Sequence, residues 1–267
     1  MVNRISDYLY NMEENVMDFR KTFDTIPEQF DKWRPRYCKE LFDTVITQSN
    51  VNPSSSVLEI GPGTGQATEP FLKTGCNYLS IELGENFVEF NKEKFKSYNN
   101  FHIINDDFET YDFGFQKFDL IFSAATIQWI PENIGFPKVF DLLKRGGTLA
   151  MFMTRTDQKT PNGILYDEIQ KVYKEHFYVD TAYKCKLEYE NVVNYGFVDL
   201  KYCDWKETKI YTADEYVEYL GSTQIGHITL REPYKTKFYK GVHDVIEKHG
   251  GKITLENTIA LYLTKKP

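Results

Sequence analysis

"VLEIGPGTGQATEPFLKTG", residues 57–75, sets a short run of apolar and acidic residues before three glycines spaced two apart, Gly61, Gly63 and Gly65. A helical pattern follows and closes at Gly75. A strand ending at Glu59-Ile60 and turning through residues without side chains lets backbone N–H groups approach a ligand unobstructed. Outward from this turn, "SVLEIG", "NYLSIEL", "FHIIND", "FDLIFSAA" and "GGTLAMFM" are short apolar runs that read as buried strands. Between them, segments such as "ENFVEFNKEKFKSY" and "PENIGFPKVFDLLKRGG" keep apolar positions at helical spacing. Alternation of this kind predicts an α/β fold with a parallel sheet covered on both faces.

After Met153, helical patterns over about 161–177 and 213–249 surround "GFVDLKYCDWKETKIYT", and the chain closes on the apolar "ITLENTIALYLTKK". These two runs read as the last strands of the same sheet. The whole of 1–267 reads as one domain, with a ligand-binding core over about 51–155 and helical lid elements over about 1–50, 156–192 and 212–250. Such helices lie over the mouth of the sheet, where open α/β folds bind ligands.

A composition of 41% hydrophobic and 27% charged residues, without Gly/Ser- or Pro-rich tracts, fits a compact fold, and the 16% aromatics fill its core. The formal charge of −7 argues against nucleic acid as a partner, because general phosphate attraction needs a basic face. The first thirty residues are too polar for a secretory segment and no apolar run reaches bilayer length, so a cytoplasmic location without a membrane partner is expected. Cys38, Cys76, Cys185 and Cys203 form no C-x-x-C pair. They are expected to be reduced and mostly buried, with neither a disulfide framework nor a metal site.

The glycine turn fails the dinucleotide pattern G-x-G-x-x-G/A, since the third glycine position falls on Gln66 or, in the other register, on Thr68. A nicotinamide-dependent oxidoreductase is therefore disfavoured. The residues stand instead as E-x-G-x-G-x-G, Glu59 to Gly65, and here the chain resembles the class I S-adenosylmethionine-dependent methyltransferases. The resemblance implies a Rossmann-like, doubly wound sheet of seven strands, mostly parallel with the last antiparallel, and S-adenosyl-L-methionine as cofactor. It places the methionine moiety at Glu59, Gly61, Gly63 and Gly65. Glu82, with Leu83 beside it, takes the ribose hydroxyls. Asp107, with Asp106 as the competing choice, accepts from the adenine amine, while Phe108 offers its backbone N–H and flanks the ring. Ser123, Ala124 and Ala125 leave room for the sulfonium end.

"FDKWRPRY", residues 30–37, resembles a Y-x-x-x-R-P-x-Y segment of small-molecule methyltransferases, with Phe30 replacing the first Tyr, and implies that Arg34 meets the cofactor's carboxylate. "IQWIPE" resembles trans-aconitate methyltransferases, though many relatives carry H-W in place of Gln128-Trp129. "YLGSTQIGHITL" departs from a related T-x-S, with Ser222-Thr223-Gln224 there. Methyl transfer from a sulfonium is an in-line displacement needing no covalent nucleophile, and an ionised carboxylate acceptor needs no base. Gln128 and Trp129 are candidates to orient substrate, and His227 and His243 are candidate bases for an alcohol or phenol. The run Arg231, Lys235, Lys237, Lys240 reads as a solvated face. The expected function is methyl transfer to a small molecule, a carboxylate favoured, by a monomer or homodimer. The alternative is a catalytically silent module that binds S-adenosylmethionine or S-adenosylhomocysteine.

Overall fold

The computed structural model describes residues 19–179 and 187–267. The apolar runs form β1 (Ser56–Ile60), β2 (Asn77–Glu82), β3 (Ile103–Asn105), β4 (Phe118–Ala124), β5 (Leu143–Asp157), β6 (Val198–Thr212) and β7 (Lys252–Lys265). They make a seven-stranded sheet in the order β3-β2-β1-β4-β5-β7-β6. Strands β1 to β5 pair in parallel, and β7 runs antiparallel between β5 and β6. The sheet is therefore the mostly parallel, doubly wound Rossmann-like one expected, with its last strand reversed. Because β1 lies between β2 and β4, the chain leaves it toward one edge of the sheet and returns to its other side. That switch opens a crevice at the strands' C-terminal ends.

Alternation along each strand sends neighbouring residues to opposite faces. Val57, Leu120, Phe122, Ala150 and Phe152 pack with Leu41 and Phe42 of α2 (Lys39–Gln48) and Phe71 of α3 (Thr68–Leu72). Leu58, Ile60, Ile121, Leu149 and Met151 pack on the other face with Phe136 and Val139 of α5 (Glu132–Leu142). Helix α4 (Glu85–Lys94) follows β2, and a 3-10 turn over Ile127–Trp129 follows β4.

The lid is built from both ends of the described chain. A 3-10 turn over Phe19–Thr25 and α1 (Pro27–Trp33) lead into the sheet; α6 (Lys159–Asn162) and α7 (Ile164–His176) follow β5. Another 3-10 turn, Tyr189–Tyr195, precedes β6. The expected helical stretch 213–249 is three helices, α8 (Ala213–Thr223), α9 (Ile225–Thr229) and α10 (Tyr234–Lys248). Extended backbone at Gln224 and Leu230 breaks it, and Pro233 starts the last piece. Gly163, at φ +51°, likewise divides the expected helix 161–177. The lid has its own core, in which Leu165, Ile169, Tyr216, Leu220, Phe238 and Val242 pack on Ile253 and Leu255 of β7. Lys32 and Trp33 of α1 both donate to Glu218 of α8, at 2.9 and 3.0 Å, joining the two halves of the lid.

Of the cysteines, Cys76 is buried, while Cys38 and Cys203 are only half-buried, short of the burial expected; Cys185 lies outside the described residues. Among the described residues no helix is long and apolar enough to cross a membrane.

Candidate active site

The cleft at the switch point is lined by the turn after β1, the ends of β2 and β4, the loop after β3, and the lid. Its glycines have three different reasons to lack a side chain. All three have positive φ, +65° at Gly61, +58° at Gly63 and +79° at Gly65. A Cβ on Gly61 would lie 2.2 Å from the Thr126 methyl, so this residue lets the turns after β1 and β4 meet. Gly63 borders the cleft, its N–H donating to Glu82 Oε2 at 2.9 Å and its missing Cβ facing the Phe30 ring at 3.2 Å. Gly65 does not line the cleft. A Cβ there would lie 2.5 Å from Phe95 and 2.6 Å from Asn91 Oδ1, so its missing side chain serves the packing of α4, and the structure does not bring it into the cleft with the other two.

Glu59, also expected at the ligand, is fully buried away from the cleft. Its Oε2 accepts from Thr68 Oγ1 at 2.7 Å and from the Tyr78 hydroxyl, which ties β1 to α3 and β2. Burial pushes its carboxyl up to about 7. Ser123 is likewise a structural pin. Its Oγ donates to Ile60 O at 3.3 Å and accepts from Ile127 N–H at 2.9 Å, beneath the cleft floor. Ala124 lines the cleft, and beside it Ala125, at φ +57°, turns the chain.

Glu82 closes β2 with each carboxylate oxygen on a backbone donor, Gly63 N–H at 2.9 Å and Gly84 N–H at 3.0 Å. Burial is the largest influence on it and pushes it up to about 7, Asp24 adding to the rise while the two N–H groups oppose it. Each oxygen keeps a further lone pair for a ligand hydroxyl. Leu83 borders the same cleft. On the far wall stand Asp106, Asp107 and the buried Phe108. Asp107 accepts from Arg20 Nη2 at 2.8 Å and from Glu109 N–H at 2.9 Å, while Arg20 Nη1 also meets Glu109 at 2.7 Å. Asp107, one of the two acids expected at the adenine amine, is thus held by an arginine of the lid, while Asp106 lines the cleft beside it.

Arg34 lines the cleft, its guanidinium 5.3 Å from the Phe30 ring centroid, and Trp129 enters from the turn after β4. The other proposed catalytic groups lie elsewhere. Gln128 donates to Ala125 O at 3.0 Å and accepts from the Tyr189 hydroxyl at 2.6 Å, and it does not reach the cleft. His227 is buried in the lid among Tyr173, Phe177 and Phe238, its Nε2 3.0 Å from the Tyr173 hydroxyl. Desolvation lowers its pKa to about 3, so it is neutral, and it does not line the cleft. His243 pairs with Asp214 on the surface at 3.2 Å. No histidine or lysine lines the cleft among the described residues.

Residues to which the sequence assigned no place in the site complete it. Arg20, Phe23, Tyr37, Gln66 and Ile225 line it. Asp24 holds the lid down, accepting from Phe87 N–H at 2.7 Å and Asn86 N–H at 3.2 Å at the start of α4. Tyr37, Gln66 and Ile225 fall in stretches already singled out in the sequence, whereas Arg20, Phe23 and Asp24 come from a polar, unpatterned segment to which only tertiary proximity gives meaning.

The family described as ribosomal RNA adenine dimethylase matches residues 38–161. A malonyl-acyl-carrier-protein O-methyltransferase of a Marinomonas species is 27% identical over 165 residues, 58% of this chain and 58% of that protein. The ribosomal RNA small subunit methyltransferase A of Dehalococcoides mccartyi is 33% identical over 67 residues, 25% of this chain and 23% of that protein. The chain thus spans between about a quarter and three fifths of these relatives' lengths. In fold it is similar to the Haemonchus contortus phosphoethanolamine N-methyltransferase 2, solved with phosphomonomethylethanolamine and S-adenosylhomocysteine. The TM-score is 0.54 at 16% identity, over 94% of this chain and 61% of that one. Bare backbone after β1, a buried acid closing β2 and small residues closing β4 on one cleft fit an adenosyl amino acid. With the sheet order and these relatives, they make the chain similar to the class I S-adenosylmethionine-dependent methyltransferases.

Proposed function

We propose that this chain transfers the methyl group of S-adenosylmethionine to a small organic acceptor whose attacking atom is a carboxylate oxygen. The observation that carries the reading is a cofactor cleft roofed by lid elements from both ends of the chain, with Phe23, Phe30 and Ile225 among its lining. A roofed pocket suits a metabolite rather than a polymer. The ribosomal RNA adenine dimethylase match ends at residue 161, so it leaves most of the C-terminal lid outside. A net charge of −7 supports the same choice. The Marinomonas relative is named an O-methyltransferase, which supports an oxygen acceptor.

Glu82 would receive the ribose hydroxyls, Phe108 with Asp106 or Asp107 the adenine, and Gly61 and Gly63 the methionine backbone. Arg34 would face a carboxylate, and Ala124 with Ala125 leave space at the sulfur. When bound, the cofactor supplies the activated methyl carbon. What remains for the protein is to align the acceptor and exclude water. Burial raises the Tyr37 hydroxyl to about 12, which leaves it a poor base at neutral pH, and a carboxylate needs none.

The test uses S-adenosylmethionine labelled in its methyl group, incubated with the chain and a panel of small carboxylic acids. A labelled product that releases volatile label on mild alkali, as a methyl ester does, is expected. Alkali-stable label would move the acceptor to another oxygen or to nitrogen. Tight S-adenosylhomocysteine binding without any label would establish the silent binding module.

A further inference from the structure

Arg34 and Tyr37 border a second, smaller pocket as well, whose other walls include Thr154 and Thr156 of β5 and Tyr219, Thr223 and Gln224 at the end of α8. Its polar groups do not balance. Arg34 makes one long hydrogen bond, 3.4 Å to Thr223 O, and has no acid within ion-pair distance among the described residues, whereas Lys32 and Arg36 beside it are paired to Glu218 and Asp31. The hydroxyls of Tyr37 and Tyr219 have no hydrogen-bond partner among the described residues, and Thr154 Oγ1 is buried with none. Thr156 and Thr223, by contrast, are satisfied, donating to Asn257 Oδ1 at 2.8 Å and to Tyr219 O at 2.7 Å. Among the described residues no acidic side chain lines the pocket. Folded interiors pair their polar groups, so donors left over around one hole, with a permanent cation among them, describe the outline of a missing anion.

We propose that this pocket holds a carboxylate group of the acceptor, with Arg34 supplying the charge and Tyr37, Tyr219 and Thr154 the hydroxyl donors. A carboxylate offers about four lone-pair sites, which matches a cation and several hydroxyls better than any neutral group does. The inference rests on the methyltransferase reading above, and it gives the acceptor an acid group anchored on β5 and α8, beside the cofactor cleft. The same chemistry has a second source, the carboxylate of the cofactor's own methionine moiety.

The experiment separates the two. The full chain is saturated with S-adenosylhomocysteine, and mono- and dicarboxylates of increasing length, with their primary amides, are titrated calorimetrically. At least one carboxylate binds, and its amide is weaker by about tenfold or more, the effect of replacing a charged acceptor. Tyr219→Phe and Thr154→Val, each of which removes one hydroxyl with little change of shape, weaken that carboxylate several-fold and leave S-adenosylhomocysteine affinity within about twofold. If no carboxylate binds and both variants weaken S-adenosylhomocysteine instead, the pocket belongs to the cofactor and the proposal is overturned. Equal binding of acid and amide overturns it as well. Failure of S-adenosylhomocysteine itself to bind wild-type protein removes the cofactor reading first, a different and separately visible result.

Discussion

Glu82 has both oxygens on backbone donors and still lies with its carboxyl raised to about 7, because burial outweighs two N–H groups. Glu59, deeper and also raised to about 7, does not line the cleft. An acid whose folded pKa lies above its unfolded value of 4.5 binds more protons in the folded state between the two values. Stability of the ligand-free chain should therefore fall as pH rises from 4.5 to about 7, and flatten above it. Ribose hydroxyls donate, so ligand binding favours the ionised Glu82 and should release protons near neutrality. Calorimetry of S-adenosylhomocysteine binding in buffers of different ionisation enthalpy measures that release, and affinity should rise with pH through about 7. Glu82→Gln should lower affinity by about tenfold to a hundredfold at high pH and abolish the proton release, while Glu59→Gln should leave the release intact. Release that persists in Glu82→Gln would assign the titrating group elsewhere.

At the scale of elements, α4 starts at Gly84, which has no side chain to cap it, and the missing cap arrives from Asp24 in the lid. A Cβ at Gly84 would stand 2.3 Å from Asp24 Oδ1, so the glycine is what admits that carboxylate. The contact fixes the turn Phe19–Thr25, and with it Arg20 on Asp107 and Glu109. Asp24→Ala should cost about 1 to 2 kcal/mol in urea unfolding, the range for losing a helix cap, and should weaken S-adenosylhomocysteine as the lid loosens. Gly84→Ala should reproduce both effects. Asp43→Ala, which breaks only an exposed pair with Lys39, should change stability by less than about 0.5 kcal/mol. A loss of stability without a loss of affinity would separate the cap from the lid. None of this was legible beforehand, since Asp24 and the α4 start are 62 and 63 residues apart.

For the whole molecule, the cleft joins strand ends and lid segments distant in sequence, so a ligand there should stabilise the chain as a unit. S-adenosylhomocysteine at about a hundred times its dissociation constant should add about 2.7 kcal/mol and raise Tm by about 5 to 10 °C. Gly63→Val should abolish the shift, because its side chain would meet Phe30 at the closest point of turn and lid and strain a residue at φ +58°. A full shift in a folded Gly63→Val protein would place the ligand elsewhere. The sequence by itself determined the sheet, the turn after β1, the acid that closes β2 and the small residues that close β4. Those signals are local: short continuous apolar runs, glycines at fixed spacing, and the chemistry of a strand's last residue. Only the tertiary structure decided that Gly65 packs on α4, that Glu59 and Ser123 make internal hydrogen bonds outside the cleft lining, and that His227 is a lid-core residue. It alone brought Arg20 to Asp107 across 87 residues and, among the described residues, left Arg34 without an acid and the Tyr37 and Tyr219 hydroxyls without a partner around one pocket. Alternation tells which face of a strand a residue takes, but what covers that face depends on helices whose docking no local pattern encodes.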